Sequence, residues 1–510
     1  MKRLFLLIAI GFMASCQKDT NEPVIRETLE VYNIVFEAED NPSLSTDLKL
    51  TFDGDHTFFG TAPRGATMKS LVSTIGVNAG DVEFEMNGMP YVSGSTEGDF
   101  STPVTLTVQY PDGDGKVTYD IRLRYDNGIP VVYVDTNDLP IDSKEDYVVG
   151  NIAVYGQLDY PHMEETLMKI KGRGNSTWWQ GVEFGKKPYQ VKFSESTEML
   201  GIPADRKWVF LAEWSDKSLM RNKITYEMGA MSTLGYTPKG EFVDLFVNDD
   251  YQGTYLMAQK VEVTPNRVNI GQNGYLVEID QLERLDPEDV YFTPEIFTSH
   301  FANNVFNIKS PEIAQGSAAY NAISNHINEF ESALFGSNFK DPDTGYRAYI
   351  DVPSFVDWYL INEISKTTDA QFWSSIYFTW VPGEKIKMGP LWDFDLSYGN
   401  VEYTDARYTE GYWIKDNLWF SRLFEDPYFA NAVKERFQYY KNNMGYLLGK
   451  IDAYANYIDA SQTDNYELWG TLGNYVWPNP VWFDTYEEEV DHLKNWLTTR
   501  MNWLDSEFSK

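Results

Sequence analysis

Two aspartates one residue apart, Asp393 and Asp395, constrain this chain more than any other feature of its sequence. They lie in the segment M-G-P-L-W-D-F-D-L-S-Y-G-N, residues 388–400, whose other members are mostly apolar or aromatic. Side chains at positions i and i+2 of a strand share a face, whereas glycine and proline nearby favour a turn. Burying two carboxylates is costly unless a cation, a base or hydrogen bonds compensate them. The segment therefore predicts either a site for a hard cation or a capped turn with one aspartate facing water.

The first sixteen residues have the three parts of an export signal. Lys2 and Arg3 precede a short apolar core, and small residues follow it. The core is too short to span a bilayer as a mature helix. The sequence M-A-S-C, which ends at the chain's sole cysteine, Cys16, resembles a bacterial lipobox. We therefore expect residues 1–16 to be a lipoprotein signal with Cys16 as the lipidated residue, and residues 17–23 to be a tether. An ordinary secretory signal is the alternative.

The charge of the chain limits its partners. The 42 basic and 76 acidic residues give a formal net charge of −34. Such an excess argues against nucleic acid and anionic lipid as partners, so membrane contact is expected only through the lipid anchor, at the outer membrane or cell surface. The 510 residues predict a multidomain chain. The aromatic content of 15% is compatible with glycan contact or with aromatic-rich packing.

Short alternating strands separated by turn residues occupy residues 24–127. Residues 104–110 and 117–123 are predicted to pair as a hairpin across a D-G-D-G turn. Strands at this spacing predict an antiparallel, all-β sandwich of immunoglobulin-like (Ig-like) size. Residues 93–108 resemble the Ig-like modules found beside the tether in Bacteroidetes surface lipoproteins, which implies a spacer.

A glycine-containing turn follows a predicted strand at residues 168–171. Its sequence, K-G-R-G-N-S-T-W, exposes backbone N–H groups that can hold an anion, and Lys192 on the next predicted strand could reach back to it. A plain turn is the alternative, because the pattern is not G-x-G-x-x-G. A helix is predicted over residues 217–235, with Glu227 beside its apolar stripe.

The acid Asp369 is predicted to lie near the aspartate pair. A helix over residues 351–366 leads directly to it, and strands at 376–380 and 386–388 follow. Asp369 and Asp393 therefore flank one predicted hairpin, which brings them into one neighbourhood.

These segments, in this order, resemble the spore-coat protein H (CotH) kinase-like family. The matching segments are K-G-R-G-N-S-T-W (171–178), K-K-P-Y-Q-V-K-F (186–193), S-L-M-R-N-K (218–223), F-V-N-D-D-Y-Q-G-T-Y-L (246–256) and G-P-L-W-D-F-D-L-S-Y-G (389–399). The resemblance implies that residues 128–510 form an α+β atypical protein-kinase-like domain after the Ig-like sandwich. It also implies that this domain uses ATP and Mg²⁺ or Mn²⁺ to phosphorylate a protein acceptor.

The resemblance implies roles for three acids. Asp393 is the metal-binding acid, because D-F-D stands where typical kinases have D-F-G, and Asp395 is a further metal ligand. Asp369 is the catalytic-loop acid that orients or deprotonates the acceptor hydroxyl. Asn400 is a supporting group.

The resemblance also implies a nucleotide site. Lys192 is the strand lysine that holds the phosphates and takes part in catalysis, and Glu227 is its helix partner. Arg173 and Asn175, in the glycine turn, are further nucleotide-binding candidates.

Departures from the family pattern keep a second hypothesis open. Ser374 and Ser375 stand where a metal-binding asparagine is expected, and Gln259 stands where relatives often carry glutamate. The chain is therefore either a phosphotransferase or a pseudokinase, a surface lipoprotein that binds glycan or protein. If the chain is a pseudokinase that binds glycan, three tryptophans of the C-terminal region are candidates for stacking on the ligand: Trp469, Trp477 and Trp482. Packing in the core is nevertheless the favoured prediction for them.

Overall fold

The computed structural model describes residues 28–510 except residues 53, 55, 114, 158, 159 and 249. The predicted export signal, the predicted lipidation site Cys16 and the predicted tether therefore lie outside the described residues. The chain divides into two compact units, one ending at Tyr125 and the other comprising Asp126–Lys510. No helix in the described ranges combines the length and apolar composition that a bilayer crossing requires.

The first unit is β-rich. Its strands are β1 (Val31–Phe36), β2 (Leu48–Lys49), β3 (Thr51–Phe52), β4 (Thr57–Ala62), β5 (Leu71–Val72), β6 (Thr74–Val77), β7 (Glu83–Met86), β8 (Met89–Tyr91), β9 (Glu97–Gly98), β10 (Val104–Gln109) and β11 (Lys116–Tyr125). They form sheets with the orders β2-β1-β6, β3-β4-β11-β10-β7-β8 and β5-β9. The predicted hairpin is confirmed as β10–β11, and its inward residues Leu106 and Ile121 are fully buried. The β4–β11 pair is parallel, so the six-stranded sheet is mixed and not purely antiparallel as predicted.

The second unit begins with a closed seven-stranded barrel. Its strands are β12 (Val131–Asp135), β13 (Val148–Tyr155), β14 (Met163–Gly172), β15 (Tyr189–Met199), β16 (Ile202–Leu211), β17 (Gly240–Val247) and β18 (Asp250–Gln259). The barrel closes through the parallel β12–β17 pair. Apolar side chains such as Val191, Trp208 and Met257 fill its interior. Because side chains alternate along a strand, Gln190 and Lys192 on β15 point out of the barrel.

A five-stranded sheet and most of the helices follow. The strands, in the order β20-β21-β19-β22-β23, are β19 (Tyr275–Gln281), β20 (Tyr291–Phe292), β21 (Asn304–Ser310), β22 (Ile376–Trp380) and β23 (Lys387–Met388). The helices of this unit are α1 (Ser176–Phe184), α2 (Arg221–Ala230), α3 (Glu295–His300), α4 (Ala318–Phe335), α5 (Val352–Ser365), α6 (Leu418–Leu423), α7 (Pro427–Asn442), α8 (Met444–Tyr457), α9 (Asp459–Trp469) and α10 (Tyr486–Phe508). The predicted helix before Asp369 and the hairpin after it are confirmed as α5 and β22–β23.

Two predicted elements differ from the structure. Helix α2 is shorter than predicted, because Leu219 has a left-handed φ of 61° that no helical residue adopts, and Asp216 pairs with Arg221. The glycine turn does not join two strands directly, because α1 lies between β14 and β15. The ring of Trp178 on α1 occupies the space where a Cβ of Gly172 would lie, so glycine lets this helix pack against β14.

Candidate functional site

A cavity of about 420 Å³ in the second unit collects the acids that the sequence singled out. Asp369, Asp393 and Asp395 all line it. So do the first residues of α1, the end of β16, the link after β18 and residues from β19 and β21. The site is therefore built from segments far apart in the sequence.

The D-F-D loop presents Asp393 to the cavity in a strained conformation. Asp393 has a φ of 68°, which a residue with a Cβ rarely adopts outside functional sites. Two hydrogen bonds hold the loop directly after Asp393. The Asn222 side chain accepts one of them from the Phe394 N–H at 2.7 Å. The Asn400 amide donates to the carbonyl of Asp395 at 2.9 Å. Asn400 thus lies where a supporting group was predicted.

Asp395 is held partly buried among other acids. Burial, followed by the carboxylates of Asp393 and Asp216, raises its pKa to about 8. Its own loop supplies one compensating hydrogen bond, from the Leu396 N–H at 3.1 Å. With a pKa raised in this way, a carboxyl group keeps its proton near neutral pH unless a cation binds to it and displaces the proton.

Asp369 lies in a short 3₁₀ turn, Thr368–Ala370, directly after α5. Burial and the nearby Asp393 carboxylate raise its pKa to about 6. The Ser374 hydroxyl donates to it at 2.7 Å, and the Ser375 hydroxyl donates to Asp393 at 3.3 Å. The two serines at the position expected for asparagine therefore bind the two acids.

Cationic groups line another part of the same cavity. Arg173 and Asn175, both predicted, lie there with the first turn of α1, and the Arg173 guanidinium stacks 5.5 Å from the Trp392 ring. Lys260, which the sequence reading missed, lies at the end of β18, and burial lowers its pKa to about 8. Its neighbour Glu262 is paired with other residues, at 2.5 Å from Lys207 and 3.1 Å from Arg267.

Two further cations sit beside acids of β19. Lys309 lies 3.6 Å from Glu278, and Arg284 lies 3.8 Å from Asp280. The Arg284 guanidinium also donates to the Ser374 hydroxyl at 2.7 Å, which links it to the environment of Asp369.

Lys192 and Glu227 do not form the predicted pair at this site. Lys192 is exposed on the outside of the barrel, between Lys169 and Lys207 on the adjacent strands, and it is not among the residues that line the cavity. Glu227 instead accepts hydrogen bonds from Tyr446 and Tyr454 on α8 and lies 3.6 Å from Lys450. The strand-to-helix distances that decide such a pair are not encoded in local sequence patterns.

The sequence reading also missed Glu213 and Asn222, which lie buried in the cavity wall. The only signal for Asn222 was its place in the S-L-M-R-N-K segment. Glu213 follows β16 directly and carries a left-handed φ of 49°, which no local pattern predicts.

The tryptophans of the C-terminal region are not all core residues, contrary to the favoured prediction. Trp477 is 38% exposed, lines the cavity and stacks on Tyr403 at 5.7 Å. Trp482 is also exposed, whereas Trp469 is half-buried and donates to the Gln252 carbonyl.

A divalent cation fits this site when phosphate oxygens complete its coordination. Among the described residues no three His, Cys, Asp or Glu side chains come close enough to hold a metal ion by themselves. Mg²⁺, however, is usually bound by one or two carboxylates together with water and substrate phosphates. Asp393 and Asp395 supply carboxylate oxygens. The pKa of Asp395 is raised first by burial and then by the neighbouring carboxylates, whose negative charge a cation would offset.

Comparison with known proteins identifies the family. Residues 170–504 match the family model described as CotH kinase protein, and this match covers more than half of the chain. The chain therefore belongs to the CotH kinase family, which implies use of ATP. No curated protein sequence matches the chain. A solved structure of a Bacteroides thetaiotaomicron protein, described as a candidate glycoside hydrolase, is 12% identical over 58% of this chain and 86% of its own, with a TM-score of 0.18, too low to support an argument.

Proposed function

We propose that this chain is a CotH-type phosphotransferase that moves the γ-phosphate of ATP to a protein hydroxyl with the help of Mg²⁺ or Mn²⁺. One observation carries the proposal: Asp369, Asp393 and Asp395 converge in a single cavity that also contains Arg173 and Lys260. Phosphoryl transfer needs this combination of a base, metal-binding acids and cations for the phosphates.

The acids have distinct tasks in this proposal. Asp369 accepts the proton of the acceptor hydroxyl, and its pKa of about 6 leaves it ionised yet basic near neutral pH. Asp393 and Asp395 hold the divalent cation, which supplies neutralisation of the charge on the transferring phosphoryl group. Ser374 and Ser375 fix the rotamers of Asp369 and Asp393 through their hydroxyl hydrogen bonds.

The cationic part of the cavity binds the triphosphate. Lys260, in place of the predicted Lys192, and Arg173 donate to phosphate oxygens through charge-assisted hydrogen bonds. Asn175 and the first residues of α1 also line the cavity, and the N-terminus of a helix favours an anion.

Phosphate incorporation tests the proposal directly. The protein from residue 17 onward is incubated with γ-labelled ATP and Mg²⁺ or Mn²⁺, alone and with surface-protein extracts as acceptors. We expect incorporation that Asp393→Asn and Asp369→Asn abolish, and a nucleotide-dependent rise in Tm. A wild-type protein that shows neither incorporation nor a thermal shift refutes the proposal.

A second candidate function rests on the exposed aromatic side chains. Tyr403 and Trp477 form a stacked pair at the cavity, and Tyr475 and Trp482 form another exposed pair with centroids 5.5 Å apart. Aromatic faces open to solvent suit binding of a glycan or protein without catalysis. Saturable binding on a glycan array or in a pull-down with purified surface proteins, unchanged by Asp393→Ala, would favour this function over phosphotransfer.

We also propose that the protein is an exported lipoprotein, anchored through Cys16 at the outer membrane or cell surface with the β-rich unit as an Ig-like spacer. The lipobox-like M-A-S-C sequence and the charge of −34 support this placement. Labelled palmitate should be incorporated into the wild-type protein and not into Cys16→Ser. Equal labelling of the two proteins would contradict the anchor.

A further inference from the structure

A chain of buried hydrogen bonds links the barrel to the peptide between the two metal-binding acids. The Asn222 side chain on α2 donates to both carboxylate oxygens of Glu213, at 3.1 and 3.2 Å. Its carbonyl oxygen accepts the Phe394 N–H at 2.7 Å. All three residues are at least nine-tenths buried, so no water competes freely for these partners.

The Phe394 N–H decides which way the Asn222 amide faces. A backbone N–H only donates, so the carbonyl oxygen of Asn222 must point towards it. The NH₂ group of the same amide must then point towards the Glu213 carboxyl group. Burial, followed by the carboxylates of Asp216 and Asp395, raises the pKa of Glu213 well above its usual range.

The hydrogen-bonded bridge Glu213–Asn222–Phe394 lies where the backbone adopts unfavourable conformations. Phe394 follows Asp393, whose φ of 68° is left-handed, and Glu213 at the other end is also left-handed with a φ of 49°. Such conformations persist in residues with a Cβ only when surrounding contacts fix them. Asn400 holds the far side of the loop through the Asp395 carbonyl, and the Ser397 hydroxyl donates to the Phe394 carbonyl. The Phe394 N–H is held by Asn222.

We propose that Asn222 and Glu213 are positioning residues that set the direction of the Asp393 and Asp395 carboxylates towards the cation. This inference rests on the proposed phosphotransferase function. In this proposal Asn222 orients the loop, and Glu213 holds Asn222 in place.

Substitutions that exchange hydrogen-bond donors and acceptors at Asn222 and Glu213 test the proposed positioning role. Asn222→Asp replaces the amide donor with a second carboxyl group that faces Glu213, whereas the double variant Asn222→Asp with Glu213→Gln again pairs one amide with one carboxyl group. Asn222→Ala removes the bridge without adding charge. Asn495→Asp, on the exposed face of α10, is the matched control for the change in charge.

Two readouts separate positioning from stability and from catalysis. Mn²⁺ binding in the presence of a non-hydrolysable ATP analogue is followed by electron paramagnetic resonance. Hydrogen exchange of the peptide that contains Phe394 is followed by mass spectrometry, and Tm is recorded for each variant. We expect Asn222→Asp and Asn222→Ala to weaken Mn²⁺ binding about tenfold to a hundredfold, and to speed exchange at Phe394. The double variant should recover binding to within about threefold of wild type.

The failures are distinguishable. Unchanged Mn²⁺ affinity in both single variants, or a double variant no better than Asn222→Asp, overturns the positioning role. Variants that change Tm but bind Mn²⁺ with wild-type affinity would show that the bridge only stabilises the fold. That result also overturns the positioning role. If the wild-type protein binds no Mn²⁺, the proposed function itself fails. The role of Asn222 and Glu213 in directing cation ligands then fails as well, even when the variants change hydrogen exchange at Phe394.

Discussion

The acidic and the cationic parts of the cavity come from the chain in different ways. Asp369 and Asp393 flank one hairpin, β22–β23, and Asp395 lies two residues further on. Arg173 and Lys260, by contrast, are brought together from the end of β14 and the end of β18. A short-range pattern therefore locates the acids, whereas only the closed barrel decides which cations join them.

This difference explains why Asp369 and Asp393 were predicted in one neighbourhood, whereas the lysine that lines the cavity, Lys260, was not predicted. Lys192 points out of the barrel on the same side as Gln190, which lines the cavity. It lies two residues further along β15 and is exposed there, so its position along the strand, and not its face, separates it from the cavity lining.

The largest effect is expected from the acid that faces the cavity. Asp393→Asn removes a cation ligand, and we expect the rate of phosphate incorporation to fall about 10³-fold or more. Mn²⁺ affinity, measured by isothermal titration, should fall in parallel. The exposed Asp491→Asn serves as control, and incorporation by Asp393→Asn at the wild-type rate would contradict the role of the acidic part.

The next largest effect is expected from the proton acceptor. Asp369→Asn should lower kcat about 10²- to 10⁴-fold. The Kd for Mn²⁺ and nucleotide should change little, because Asp369 is assigned to the acceptor hydroxyl and not to the cation. A large rise in Kd with kcat preserved would instead place Asp369 among the metal ligands.

The cationic part is tested by a matched pair of lysines. Lys260→Met should raise the Kd for ATP about tenfold to a hundredfold, because it removes a charged hydrogen-bond donor. Lys192→Met, on the outside of the barrel, should change it by less than about twofold. Fluorescence titration with a labelled ATP analogue measures both, and the opposite order of effects would restore the lysine predicted from sequence.

The smallest effect concerns pH. Asp395 has a pKa raised to about 8 and must lose its proton to bind a cation. Mn²⁺ affinity should therefore rise with pH, by about tenfold per unit at most for one proton released, and level off above pH 8.

The raised pKa of Asp395 also determines the direction in which the stability of the protein changes with pH. An acid whose pKa is raised on folding disfavours the folded state once it ionises, so cation-free protein should lose stability as pH rises from about 4 towards 8. Asp395→Asn should raise Tm at pH 8, measured by differential scanning calorimetry in chelator, and abolish the part of the Mn²⁺ dependence due to Asp395. A lower Tm in this variant would show that the carboxylate is stabilising.

Local sequence predicted much of the fold around the acids. The helix over residues 351–366 and the strands at 376–380 and 386–388 are all confirmed. Each depends on residues within a few positions of one another, where alternation, turn residues and caps act directly. The start of α2 was missed because the left-handed Leu219 is fixed by tertiary contacts.

The sequence by itself determined the family, the proximity of Asp369 to Asp393, and the apolar setting of the D-F-D loop, because these follow from short segments and their order. Only the tertiary structure decided that Lys260 and not Lys192 faces the acids, that Glu227 pairs with α8, and that Glu213 and Asn222 hold the loop. These choices depend on the curvature and closure of the barrel, whose strands extend from Val131 to Gln259, and on packing between distant segments, which no local pattern of residues records.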